Sequence, residues 1–235
     1  MESPAFDKTK AFVIAFLVLV ILLELVAIAR SQDLDLPVNP GWPMNNGAPI
    51  ADDGNGDDPR DEPPPVFFGE EIDSENNTLV YVLDCSGSMR QEQRLIRAQR
   101  ELSRSIAALS ANFRFNVVVY WCEVRAWSMT ALPANEANKA SASTWACKWG
   151  AGGGTATGPA VALGLWDTTV QAVALLTDGM PNCGAPGREG HRQMIRAKNV
   201  QGATINVFGV SASGEWRAWC QAVAADSGGR YVDVP

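Results

Sequence analysis

Four near-continuous apolar runs, TLVYVLD (78–84), FNVVVYW (115–121), AVALLTD (172–178) and TINVFGV (204–210), alternate with stretches of helical periodicity, and this alternation constrains the fold more than any other feature. Runs so rich in valine, leucine, isoleucine and aromatic residues read as strands covered on both faces. RYVDV (230–234) reads as a final strand. Between the first two runs, Leu95, Ala98, Leu102, Ile106 and Leu109 recur every three or four residues and make one apolar face of a helix over 90–110. Residues 159–168, 189–200 and 214–225 are shorter helical candidates, the last two closed by QG and SGG. Regular alternation of strand and helix predicts an α/β fold: a doubly wound, mostly parallel sheet, flanked by helices on both faces and joined by right-handed crossovers. At 235 residues, 46% hydrophobic and 19% charged, the chain has material for one well-buried domain plus appendages.

The appendages precede the domain. Residues 11–29, AFVIAFLVLVILLELVAIA, form a long apolar run interrupted by Glu24. At about 1.5 Å per residue this run covers roughly 30 Å of hydrocarbon and reads as one N-terminal transmembrane helix. A cleaved signal peptide is the competing reading, because AIA at 27–29 has the small residues of a cleavage site. Lys8 and Lys10 lie before the run, and Arg30, Asp33 and Asp35 after it. That bias places residues 1–10 in the cytoplasm and everything after the anchor outside it, in the periplasm or on the cell surface. Residues 30–71 carry PVNPGWP, DDGNGDD and DEPPP, too poor in apolar groups to offset the entropy of ordering, and read as an acidic disordered tether. The folded domain is then 72–235, with PVFFGEEI (65–72) as the stretch where packing can begin, through Phe67 and Phe68. Between residues 31 and 77 the acids are opposed by Arg60 alone, so the net charge of -7 describes the tether. No basic footprint for nucleic acid is present in the sequence.

Export makes the cysteines oxidisable. Of five, Cys85 falls at a buried strand end and reads as a small hydrophobe. Cys122, Cys147, Cys183 and Cys220 leave three pairings, of which Cys147 with Cys183 is favoured because both fall in loops expected at one sheet edge; four unpaired thiols is the competing reading.

Doubly wound sheets bind ligands beyond the carboxyl ends of their strands, near the point where strand order reverses. Asp84 ends the first apolar run and Asp178 the third, each followed by a glycine-containing loop, CSGSM and GMPNCG. A third loop, GAGGGTATG (150–158), sets Thr155 behind three glycines and before a helix. Asp84, Ser86, Ser88, Thr155 and Asp178 are hard oxygen donors without a histidine or thiolate among them, a set suited to Mg2+ or Mn2+ rather than zinc. Alone, Asp-x-Ser-x-Ser is an ordinary turn or helix cap; three separated elements in one constellation outweigh that reading.

Enzymatic readings each lack a group. His191 is the only histidine, at a helix start where a solvated role is expected, and G-x-S-x-G is absent. GAGGGTATG lacks the Lys-Ser/Thr of a phosphate-binding loop. No catalytic residue is therefore assigned. Arg90, Arg94, Arg97 and Arg104 share a helix face and read as a solvated stripe. Trp121, Trp166, Trp216 and Trp219 fall in strand or helix patterns as core or its margin, and Trp127, Trp145 and Trp149 lie in the connection before the threonine loop.

DCSGSM, GGGTATG and LLTDG, in that order, resemble the von Willebrand factor type A (VWA) family and its metal-ion-dependent adhesion site (MIDAS), over about residues 76–235. The resemblance implies that Ser86 and Ser88 bind the cation through their hydroxyls, Thr155 directly or through water, and Asp84 and Asp178 mostly through water. Thr157 is an alternative to Thr155, although the preceding glycines match Thr155 better. It implies that a partner's carboxylate fills the sixth position, and that the helix over 214–225 is the element whose shift can accompany binding. The function expected is a divalent-cation-dependent protein-binding module of bacterial, membrane-anchored type, whose partner is a protein or peptide presenting Asp or Glu. The competing reading is a structural or assembly component of a cell-envelope or pilus-like complex, with a metal site used only for folding.

Overall fold

The computed structural model describes residues 63–234. The expected cytoplasmic segment, the anchor at 11–29 and the tether up to residue 62 lie outside the described residues. Among the described residues no helix is long and apolar enough to cross a membrane.

The described chain opens with a hairpin of β1 (Val66–Phe67) and β2 (Glu70–Glu71). Its turn needs left-handed backbone at Phe68 and Gly69, with φ of 49° and 83°, the combination that matches strand twist in two-residue hairpins. Phe67 is 2% exposed, its ring 5.5 Å from that of Tyr81 and 4.8 Å from that of Phe208. The Phe68 N–H donates to Glu101 Oε1 at 3.0 Å. Pro65, Phe67 and Phe68 thus pack on the domain within the stretch 65–72 where packing can begin, and the acids around them stay exposed. Two phenylalanines outweigh the acids around them.

β3 (Thr78–Asp84) is buried at every position, which is why its sequence shows no alternation. It pairs in parallel with β4 (Arg114–Tyr120) on one side and β7 (Ala172–Thr177) on the other. β8 (Thr204–Val210) and β9 (Tyr231–Val234) extend the sheet in parallel. Two short antiparallel strands, β5 (Val124–Ala126) and β6 (Leu132–Pro133), pair with β4. The order β5-β4-β3-β7-β8-β9 makes the sheet mostly parallel.

Alternate residues feed two cores. Leu79, Tyr81, Leu83, Val117, Val119 and Leu176 meet α1 (Arg94–Ala108) and α2 (Glu136–Cys147) on one face. Val80, Val82, Val118, Val173 and Leu175 meet α3 (Thr157–Gly164), α4 (Gly187–Lys198) and α5 (Gly214–Ala225) on the other. Leu102 and Ile106 of α1 are almost wholly buried, each contributing about 1.5–3 kcal/mol.

Three local departures have physical causes. The helix expected over 90–110 begins as a 3-10 segment, Gly87–Gln93, broken at Gln91 and by left-handed Glu92 and Gln93, before α1 takes over at Arg94. α2 arises inside what read as a connection: its Ala- and Ser-rich sequence buries only Ala142 and Ala146, so it carries no apolar stripe, and Asn135 caps it by accepting from Asn138 N–H at 2.9 Å. His191 is buried and not solvated; its Nδ1 accepts from Gly158 N–H at 2.8 Å, and burial lowers its pKa. Gly158 has no room for a Cβ, which would lie 2.9 Å from His191 Cα, so the pair welds the start of α3 to α4. Trp216 and Trp219 are 7% exposed and stacked at 5.2 Å, whereas Trp166 is 63% exposed and outside the core.

Candidate metal site at the sheet edge

From β3 the chain crosses to β4 on one side and later to β7 on the other, so strand order reverses at β3. Asp84 is the last residue of β3 and Asp178 follows β7 directly. Asp84 is fully buried and held by neutral donors. Its Oδ1 accepts from Ser86 N–H at 2.8 Å, and its Oδ2 from Thr177 Oγ1 at 2.8 Å and Tyr120 OH at 3.2 Å. Burial pushes its pKa up to about 6; the Ser86 and Thr177 bonds oppose that rise and the Asp178 charge adds to it.

The Asp178 side chain is also buried. Its Oδ1 accepts from Ser88 Oγ at 2.6 Å and its Oδ2 from Arg94 Nη1 at 3.1 Å. Ser86 Oγ and Ser88 Oγ stand 3.2 Å apart. A Cβ on Gly179 would meet Ser88 Oγ at 3.4 Å and Thr155 Oγ1 at 3.7 Å, so these two hydroxyls border one cradle that any side chain there would fill. Ser86, Ser88 and Asp178 thus form one hydrogen-bonded chain, Asp84 stands behind Ser86, and Thr155 faces Ser88 across Gly179. Thr157, the alternative to Thr155, is buried with its Oγ1 3.5 Å from Tyr120 OH.

The threonine loop is held from both sides. Asn182 Oδ1 accepts from Thr155 N–H at 2.9 Å, while Asn182 N–H donates to Thr155 O at 2.9 Å. Gly87 N–H donates to Gly153 O at 3.0 Å, and Gly152 N–H to Cys85 O at 2.9 Å. Cys183 is bonded to Cys122 and not to Cys147. Cys122 lies just beyond β4, next to β3, whereas Cys147 ends α2 as an exposed thiol beside Ser103. The disulfide crosses Gly154, where a Cβ would lie 2.9 Å from Cys122 Sγ and 3.1 Å from Cys183 Sγ. Asn182 Oδ1 would lie closer still, so glycine at 154 is required by the Asn182 clamp together with the disulfide. Cys85 and Cys220 are buried free thiols.

Tyr120, Thr177, Asn182 and Arg94 complete the arrangement, and no motif in the sequence marks them as site residues. Strand register could have found Tyr120, which pairs directly with Asp84 across β3 and β4. Arg94, placed in a solvated stripe, is only 13% exposed. Trp149 packs between Trp121 and Trp145, with ring centroids at 5.4 and 5.6 Å, and Lys148 lies 5.0 Å above the Trp149 ring. Trp121 backs the glycine loop, 3.0 Å from where a Gly153 Cβ would sit, while Trp127 stacks on Phe115 at 5.4 Å.

The donors are hydroxyls and carboxylates, and among the described residues no group of three or more His, Cys, Asp or Glu side chains forms a metal cluster. Such a set fits a hard, partly hydrated divalent cation and lacks the soft ligands of a zinc site.

The fold is similar to that of solved von Willebrand factor type A domains. A von Willebrand factor type A protein from Catenulispora acidiphila superposes with TM-score 0.60 and 22% identity, over 68% of this chain and 39% of that one. This chain thus spans well under half of that protein's length. The conserved hypothetical protein BatB from Bacteroides thetaiotaomicron matches with TM-score 0.53 and 22% identity, over 67% of this chain and 89% of that one. The vWF domain of the type V pili tip protein Mfa5 from Porphyromonas gingivalis matches with TM-score 0.55 and 11% identity, over 67% and 88%. No protein-family model matches the sequence, and no curated protein matches it.

Proposed function

We propose that this domain is a divalent-cation-dependent protein-binding module, held outside a bacterial cytoplasm by a membrane anchor at residues 11–29. The observation that carries the reading is the hydrogen-bonded chain of Ser86, Ser88 and Asp178, with Thr155 and Ser88 bordering side-chain-free Gly179 and Asp84 buried behind Ser86. Ser86, Ser88 and Thr155 would hold Mg2+ or Mn2+ by their hydroxyls, and Asp84 and Asp178 would orient its waters. Bound there, the cation supplies a positive centre that attracts an Asp or Glu carboxylate of a protein or peptide partner. Tyr120 and Thr177 keep Asp84 in place, and Asn182 and the disulfide keep Thr155 in place. No residue is assigned a bond-breaking role.

A second reading, an assembly component of a cell-envelope or pilus-like complex, draws on the likeness to the Mfa5 tip domain and on a site already closed by internal hydrogen bonds. Thermal unfolding with EDTA and then with Mg2+ or Mn2+ tests the first reading. At about 100 times its dissociation constant the cation adds roughly 2.7 kcal/mol, and Ser86→Ala loses that gain. Equal unfolding temperatures with and without cation at saturation would overturn it and a folding-only metal site alike, whereas a shift with no cation-dependent partner release would put the assembly reading in the lead.

A further inference from the structure

Arg94 occupies an unusual place. Its Nη1 lies 3.1 Å from Asp178 Oδ2, inside the constellation assigned to the cation. The guanidinium is 13% exposed against a carboxylate that is wholly buried, yet its Nε finds no hydrogen-bond partner among the described residues. One ion pair thus holds a largely buried charge that hydrogen bonds satisfy incompletely.

The backbone that delivers Arg94 is itself constrained. Glu92 and Gln93 both adopt left-handed φ, 49° and 57°, a conformation that residues with a Cβ avoid. They join the serine loop to the first turn of α1, so the site's hydroxyls and Arg94 are linked by a short strained connection. Beside Arg94 lies an apolar cavity of about 100 Å³, bordered by Phe68, Arg97, Ala98, Val210 and Val234. Apolar and bordered by Arg97, it offers the guanidinium no second partner, so Arg94 is held to Asp178.

We infer that Arg94 is a built-in counter-ion that competes with the divalent cation for Asp178 and makes cation uptake depend on an incoming carboxylate. The inference rests on the cation-dependent reading above. Without metal, Arg94 neutralises Asp178 and keeps the site formed. When a cation arrives, the guanidinium close by repels it, and the surplus positive charge is offset by a carboxylate. Arg94 therefore sets both the affinity of the site and its demand for an acidic partner.

The test is Mn2+ binding to the full chain in detergent, followed by electron paramagnetic resonance, for wild type, Arg94→Gln and Arg94→Lys, with and without acetate as a carboxylate probe. Gln can still donate a hydrogen bond to Asp178, which favours folding, and Lys keeps the charge. The inference expects Arg94→Gln to bind Mn2+ at least tenfold more tightly than wild type without acetate, and Arg94→Lys to stay within a few-fold of wild type. Acetate should tighten Mn2+ binding in wild type and Arg94→Lys and have little effect in Arg94→Gln. Equal Mn2+ affinity in wild type and Arg94→Gln would overturn the inference while leaving the cation site standing. Absence of Mn2+ binding in all three would overturn the cation reading itself. Equal tightening in Gln and Lys variants would also overturn the inference, because charge would not be the cause.

Discussion

Replacing Cys122 and Cys183 together by alanine lowers the unfolding free energy of the domain by about 4 kcal/mol, the chain-entropy value for the loop that this bond closes. The bond spans 61 residues of sequence, from the end of β4 through α2 and α3 to the loop after β7. Unfolding in guanidinium chloride measures the loss, and in thermal terms it amounts to roughly 10 °C at about 2–4 °C per kcal/mol. The effect reaches the site. Cys183 adjoins Asn182, which holds Thr155 through two hydrogen bonds, so the variant should bind the cation more weakly as well as unfold earlier. A loss below about 1 kcal/mol would mean that the loop is held by its hydrogen bonds and not by the disulfide.

Asp84→Asn should do the opposite to the cation-free protein. The buried carboxyl has its pKa raised from 3.8 to about 6, so the protonated form is the one that the fold favours. Its stabilising contribution is present below about pH 4 and is lost as pH rises through about 6, leaving a deficit of about 3 kcal/mol at neutral pH. Asparagine removes that charge. Its Oδ1 can accept from Ser86 N–H, and its amide can donate to Tyr120 OH and Thr177 Oγ1, the groups that bond Asp84 Oδ2. In EDTA at pH 7.5 the variant is therefore expected to be more stable than wild type by up to about 3 kcal/mol. It should also lack the wild-type fall in stability between pH 4 and 7. A cation needs the ionised carboxylate, so the wild-type gain from Mg2+ or Mn2+ should fade as pH drops below about 6. An Asn variant less stable than wild type in EDTA would contradict this account of the buried charge. The predicted gain would mean that stability is given up at Asp84 for binding, as is common at functional sites.

The strands and the site are legible in the sequence for the same reason. β3 is covered on both faces, so all of Thr78–Asp84 is constrained to be buried, and the abrupt change to Cys-Ser-Gly-Ser marks the sheet edge. α5 was equally legible, because Trp216, Trp219, Cys220 and Val223 make a stripe facing the sheet. α2 was not, since a helix of Ala and Ser with two buried alanines has almost no periodic signal. His191 looked solvated because nothing local reveals that Gly158 of another helix sits against its ring. The Cys122 pairing and the Arg94 contact are long-range facts. The first depends on which loops the parallel order brings together, and the second on two left-handed residues that no local preference favours.

The central claim is that Ser86, Ser88, Thr155, Asp84 and Asp178 hold a divalent cation. Crystals of the protein grown in Mn2+ and measured at the manganese absorption edge test it most directly. The account predicts one strong anomalous peak within roughly 2.1 Å of both Ser86 Oγ and Ser88 Oγ, lost in Ser86→Ala crystals. Electron density that keeps Arg94 on Asp178 with no anomalous peak between the serines, at saturating Mn2+, would contradict it.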